Sequence, residues 1–262
     1  MNDSVIQRAI ELRDPKLARE ALREIDLLLA STSDPDERVY LLFSKSSCYG
    51  ILGNFEEARK QLSSALEQEP EGPNTRLAFD LSGGLLCQQE GNYREAHERF
   101  SAALSKHTQR LNRPELRFMY EDIQTRRAFL SVTLCQFPDA IPLLREILSF
   151  DLKKEIRSDA LASLGRCYLE LRDWESAKEY FLQASAIGVT SEREKTFHFC
   201  LGIAYFYTEA LTEAKREFNI CEARASEYQL PTLDVYAWLS SVCKRLGEAS
   251  ESERYARLAW PT

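Results

Sequence analysis

Residues 161–185 read LASLGRCYLELRDWESAKEYFLQAS, and residues 197–223 read FHFCLGIAYFYTEALTEAKREFNICEA. Both carry Leu-Gly, at Leu164-Gly165 and Leu201-Gly202. In both, Tyr stands three positions after the Gly (Tyr168, Tyr205), Ala nine after the Tyr (Ala177, Ala214) and Phe four after the Ala (Phe181, Phe218). A pattern that recurs in register marks a repeat architecture.

The same rhythm runs outward along the chain. A short turn followed by a small residue appears as GNFEEA ending at Ala58, GNYREA at Ala96, QFPDA at Ala140, RDWESA at Ala177, ALTEA at Ala214 and GEASES at Ser252. The intervals are 38, 44, 37, 37 and 38 residues, and a weaker copy, RDPKLA, ends at Ala18, 40 residues before Ala58.

Each unit reads as two helices. Before the turn, Leu161, Leu164, Cys167/Tyr168 and Leu171 recur at helical spacing; after it, Trp174, Ala177, Phe181 and Ala184 do the same. Between them, Gly53 and Gly91 suit the left-handed conformation that ends a helix. Asn54, Asn92 and Asp173 are expected to cap the second helix, with Glu57 and Glu95 reaching back in capping boxes. Pro70 and Pro73 are expected to stop the second helix of their unit. Gly165, Ala177 and Ala184 are small because two paired helices approach to ~8–10 Å; Tyr168, Trp174 and Phe181 are expected to fill the space between successive units.

The spacing L-G-x-x-Y, then A-x-x-x-F, then a later Pro resembles the tetratricopeptide repeat. Leu164, Gly165, Tyr168, Ala177, Phe181 and Ala184 carry the resemblance, as do Leu201, Gly202, Tyr205, Ala214 and Phe218. Ala58, Leu62, Ala65 and Pro70 carry it in an earlier unit, and Gly84, Ala96, Phe100 and Ala103 in another. The resemblance implies an all-α fold, a right-handed α-α superhelix (a TPR-like solenoid) of about six full repeats plus an N-terminal partial repeat. The whole chain, 1–262, is expected to be one such domain, with the partial repeat at 1–36 and repeats at 39–72, 77–110, 121–152, 158–190, 195–228 and 233–260. The intervals exceed the family's 34, which implies longer helices or longer loops. The third unit departs most, with Pro138 and Pro142 in its second half and RLNRPELRFMYED before it.

The resemblance also implies that the second, fifth, ninth, twelfth and thirteenth positions of each unit face a concave groove. Counting back from each anchor as position twenty gives Tyr40, Phe43, Ser47, Leu81, Leu85, Gln88, Phe129, Phe199, Ile203 and Phe206 among the groove candidates, with Arg126, Arg166 and Lys244 as scattered cations. Members that hold a peptide's terminal carboxylate carry Lys and Asn at fixed positions; here those positions hold Phe43, Ser47 and Ser82, so no such clamp is expected. An apolar, aromatic lining suits an amphipathic helix or an extended apolar peptide. The opposing reading is that some of these aromatics pack between neighbouring units.

Composition narrows the alternatives. The chain is 44% apolar and 29% charged, with 34 basic and 41 acidic residues and a net charge of −7. That balance speaks against nucleic-acid binding through clustered cations. No apolar run approaches the ~20 residues of a membrane span, and no secretory leader is visible, so a cytoplasmic protein without membrane insertion is expected. The seven Cys are widely spaced and never form C-x-x-C, which fits reduced thiols packed as small apolar groups. His97, His107 and His198 form no metal-binding or catalytic motif; His97 is expected to face solvent. No nucleotide loop or nucleophile elbow is present, and Gly83-Gly84 falls inside a helix. Glu67, Glu69 and Glu71 read as a solvated rim. No enzyme, catalytic residue, metal or cofactor is expected.

The leading reading is an interaction scaffold that holds a peptide or helical segment of another protein. A regulatory or sensor domain for a small effector or signalling peptide is the first alternative, and a self-assembling structural adaptor the second. The last unit, bearing Tyr255, Leu258 and Trp260, is followed only by Pro261-Thr262, so that end is expected to be covered in a homodimer or continued in a longer protein.

Overall fold

The computed structural model describes residues 5–68, 73–188, 191–224 and 232–260, and every regular element among them is helical. Two compact units divide the chain, 1–134 and 135–262.

In the first unit, α1 (Val5–Leu12) pairs with α2 (Pro15–Ser31), α3 (Pro35–Ile51) with α4 (Phe55–Gln68), and α5 (Pro73–Gln89) with α6 (Tyr93–Lys106). A short helix α7 (Thr108–Leu111) and a 3₁₀ turn (Pro114–Leu116) then lead into α8 (Arg117–Thr133), which packs on α6. In the second unit, α9 (Phe137–Ile147) packs on α10 (Lys154–Glu170). Three helix pairs follow: α10 with α11 (Trp174–Ile187), α12 (Ser191–Tyr207) with α13 (Leu211–Ala223), and α14 (Thr232–Leu246) with α15 (Ala249–Ala259). Each unit is therefore a stack of helical hairpins.

The turns repeat in register. A residue with positive φ stands five positions before each anchor: Arg13, Gly53, Gly91, Cys135, Arg172, Glu209 and Gly247. Two hydrogen bonds close such turns, as where the Arg172 N–H donates to the Leu169 carbonyl at 3.0 Å and the Asp173 N–H to the Tyr168 carbonyl at 2.9 Å. The same crossed pair closes the turns at Gly53, Gly91, Glu209 and Gly247. These are Schellman closures, which satisfy the last carbonyls of the first helix.

The second helices start in more than one way. Asn54 Oδ1 accepts from the Glu57 N–H at 3.3 Å, and Asp173 Oδ1 from the Ser176 N–H at 3.2 Å, as sequence predicts. Asn92 makes no cap bond; its amide donates to Glu95 Oε2 at 2.7 Å, while Glu95 Oε1 accepts from Arg99. Glu57 Oε1 accepts from Gln61 instead of reaching back. The expected capping boxes are therefore absent, because nearer side-chain donors take both carboxylates. Pro73 does not stop a helix but opens α5, since proline lacks only an N–H that a first helical residue would leave unpaired. Pro70, Glu69 and Glu71 lie outside the described residues. Pro138 is the second residue of α9, still within the first turn where its missing N–H costs nothing, and Pro142 is accommodated inside that 11-residue helix.

Burial follows the anchors. Ala18, Ala58, Ala96, Ala140, Ala177 and Ala214 are each fully buried. Phe100, Phe181 and Phe218 lie beneath Gly84, Gly165 and Gly202, where a Cβ would come within 2.7–2.8 Å of a ring carbon. Phe181 also meets the Phe197 ring edge-on at 5.6 Å, joining one hairpin to the next.

Candidate binding site

The first helices of the first unit surround a cavity of about 290 Å³. Ile10 and Arg13 contribute from α1 and its turn, Ser46, Ser47 and Ile51 from α3, Ser82, Leu85, Leu86 and Gln89 from α5, and Arg126 from α8. Three of the expected groove residues, Ser47, Leu85 and Arg126, thus meet in one place. Gly50 allows α3 and α5 to close in: a Cβ there would lie 2.2 Å from Gln89 Oε1.

The polar groups of this cavity are unevenly satisfied. Ser47 Oγ donates to the Phe43 carbonyl at 3.1 Å. Arg126 Nε donates to Asp122 Oδ2 at 2.8 Å on its own helix. Ser46 is 1% exposed and its hydroxyl has no protein partner; Gln89 Oε1 is likewise buried and unpartnered, as is Gln88 Oε1 outside the cavity lining. Such groups normally find a partner, because an unmade hydrogen bond in the interior costs ~1–3 kcal/mol.

The second unit presents aromatic rings at corresponding positions. Phe206 lies 5.2 Å from Trp238 and edge-on to Tyr207 at 5.4 Å, with the Arg245 guanidinium 4.7 Å above its ring. Tyr207 stacks on Trp174 at 4.1 Å and remains half exposed. Arg245 also pairs with Glu209 and donates to the Phe206 carbonyl.

The remaining candidates divide by environment. Tyr40, Arg166 and Lys244 are exposed. Phe43 packs beside Ala58, Leu62 and Leu86, and Leu81 beside Leu77, Phe100 and Ile123. Phe199 meets Phe218 at 5.9 Å, Ile203 borders two core clusters, and Gln88 and Phe129 are half-buried. Tyr168 stacks on Tyr180 at 5.4 Å, and its hydroxyl accepts from Arg145 at 2.6 Å. Sequence reasoning missed Ile10, Arg13, Ser46, Leu86 and Trp238. For Ile10 a signal existed, since counting back from Ala18 puts it at the twelfth position.

Other polar clusters serve packing. His97 does not face solvent alone: its Nε2 lies 3.0 Å from Ser131 Oγ, tying α6 to α8. His198 Nδ1 is 2.6 Å from Glu217, across α12 and α13. Among the described residues Cys243, Glu248 and Glu251 come near enough to share a cation. Lys215 Nζ already sits 2.6 Å from both carboxylates, and their hydrogen bonds hold its ammonium above its ordinary pKa. Leu258 and Trp260, tied to the expected homodimer, are exposed; Pro261 and Thr262 lie outside the described residues. No helix among the described residues is long and apolar enough to cross a membrane.

The tetratricopeptide repeat family's model matches residues 39–71 and 158–187, one stretch in each unit. A search of curated proteins gave no match. The apo form of RapI is similar in structure, with a TM-score of 0.74 and 14% identity over 97% of this chain and 73% of that one. A signal-transduction ATPase with a tetratricopeptide repeat sensor, from Pyrococcus horikoshii, gives 0.73 and 17% over 98% of this chain and 41% of its own. The Cut9–Hcn1 hetero-tetramer of the APC/C gives 0.59 and 14% over 100% and 47%. At these identities the likeness is one of fold.

Proposed function

This chain carries tetratricopeptide repeats, and from that premise we propose that it is a non-catalytic scaffold whose first-helix faces hold a peptide or helical segment of a partner protein. Repeats of this family are in general protein-interaction scaffolds. The observation that carries the reading is the cavity of the first unit, to which α1 with its turn, α3, α5 and α8 all contribute while buried polar atoms stay unpartnered. The half-exposed rings around Phe206 offer a second contact surface of the aromatic kind enriched at interfaces.

The test is affinity capture with wild type, Leu85→Glu, and Phe199→Glu plus Phe206→Glu, each checked for an intact thermal melt. Glu98→Lys, at an exposed position of α6, serves as control. Loss of the same partner from the folded groove variants, with capture kept by the control, supports the scaffold. Identical capture by all of them overturns it.

The size of the first-unit cavity favours one second reading, a sensor whose small effector fills it. A low-molecular-weight compound co-purifying with the native protein, and absent from a Leu85→Glu preparation, would favour that reading.

A further inference from the structure

Resting on the scaffold reading, we propose that the first-unit cavity is an acid-recognition pocket: it takes the side chain of a glutamate or aspartate within the bound segment.

Three observations lead there. First, the chain has 41 acidic residues and a net charge of −7, yet no Asp or Glu lines this cavity. Its polar wall is two arginines, three serines and a glutamine, all able to donate hydrogen bonds. Second, the donors are not used up. Arg126 gives only its Nε to Asp122, leaving its terminal nitrogens, and that carboxylate is largely exposed. Arg13 has no ion-pair partner among the described residues and is held in the left-handed region at φ 49 by the α1–α2 turn. Ser46 is buried with its hydroxyl unpartnered. Third, the other wall is Ile10, Ile51, Leu85 and Leu86. A carboxylate on a short methylene stem matches both walls, with the stem on the aliphatic residues and the oxygens on the guanidinium groups.

On the scaffold reading the acid is a side chain of the bound segment, and the size of the cavity limits how much of that segment enters. About 290 Å³ lies at the small end of ligand sites, room for one inserted side chain and not for a helix. Charge-assisted hydrogen bonds from arginine are about twice as strong as neutral ones, so one inserted acid can fix the register of a longer segment. The net negative charge of the protein repels acidic segments elsewhere and sharpens the choice of this pocket.

The test uses end-blocked pentapeptides, so that only the side chain differs: Ac-Ala-Leu-Glu-Leu-Ala-NH2, its Gln counterpart, and Ac-Ala-Leu-Ala-Leu-Ala with a free C-terminus. Binding to the full chain is followed by NMR shift perturbation. The Glu peptide should bind about tenfold tighter than the Gln peptide, the loss expected for one charged hydrogen-bonded contact. Arg126→Gln should erase that difference and Arg126→Lys restore part of it. Asp122→Asn, which frees the Nε of Arg126, should strengthen binding of the Glu peptide. Equal binding of the Glu and Gln peptides overturns the acid pocket while leaving the scaffold standing. Arg126-dependent binding of the free C-terminus alone also overturns it, in favour of a terminal carboxylate. No binding by any of the three overturns the pocket; the capture experiment above judges the scaffold separately.

Discussion

Gly165 and Phe181 form the closest joint of their hairpin: a Cβ on Gly165 would lie 2.8 Å from Phe181 Cδ1 and 2.9 Å from its Cγ. The ring is 2% exposed and sits in a core with Leu161, Leu201 and Ala204. The relation recurs sixteen residues apart at Gly84–Phe100 and Gly202–Phe218. At Leu62 the residue sixteen positions earlier is Ser46, and at Leu144 it is Ala128.

Gly165→Leu should therefore overpack the α10–α11 hairpin and cost ~1–3 kcal/mol, seen as a lower midpoint in urea. Gly165→Ala should cost less, and adding Phe181→Leu should recover part of its loss, because the two sites share one volume. A melt of Gly165→Leu equal to wild type would refute the joint.

The turns make a second prediction. Arg172 and Glu209 hold positive φ, at 62° each, where glycine stands in the turns at Gly53, Gly91 and Gly247. Arg172→Gly or Glu209→Gly should stabilise by roughly 0.5–1 kcal/mol, as relief of the left-handed strain exceeds the entropy returned to the unfolded chain. Gly91→Ala should lose roughly 1 kcal/mol although a Cβ there meets nothing within 4 Å, so its cost is backbone alone. Calorimetric melts of the three variants decide.

The thiols should separate by burial. Cys135 is exposed, while Cys48, Cys87, Cys167, Cys221 and Cys243 are buried. Burial pushes the Cys48 and Cys167 thiols up to about 11 and those of Cys221 and Cys243 up to about 12. Iodoacetamide at neutral pH should label Cys135 first, with the buried thiols following only on unfolding. Rapid labelling of Cys167 in the native protein would contradict the packing.

Asp80 should make the first unit acid-sensitive. Burial raises its pKa, but hydrogen bonds from Lys106 at 2.8 Å and His107 at 2.9 Å outweigh that and hold it below the ordinary 3.8. A carboxyl depressed in the folded state adds stability that is fully present above its ordinary value and is lost as pH falls through the folded one. Asp80→Asn should thus be less stable than wild type in urea at pH 7, with the gap closing as the pH is taken below about 3.8. A gap unchanged down to strong acid would exclude this role.

Much of this could be read from residue order. The intervals 40, 38, 44, 37, 37 and 38 between anchors return unchanged as the spacing of the positive-φ turns. The turns at Gly53, Gly91, Arg172, Glu209 and Gly247 do so through local hydrogen bonds that residue order fixes. Capping was read less well: Glu95 has the right position for a capping box, but Arg99 and the Asn92 amide reach it first, a competition among rotamers that position does not record. The groove count found Ser47 and Leu85, placed Phe43 and Leu81 where they also pack, and passed over Ile10 because the weak first copy was not counted; Arg13, at the fifteenth position of that copy, falls outside the counted positions.

By itself the sequence determined the hairpin repeat, its register and its small-against-large joints, since each follows from residues within about forty positions of one another. Only the tertiary structure decided which side chains enclose space. The first-unit cavity draws on residues from Ile10 to Arg126, across three hairpins and the helix after them, and its unpartnered Ser46 hydroxyl and Gln89 Oε1 arise from how the helices approach. Helical periodicity sets which way a residue faces; the distance to the next wall is set by packing between helices far apart in the chain.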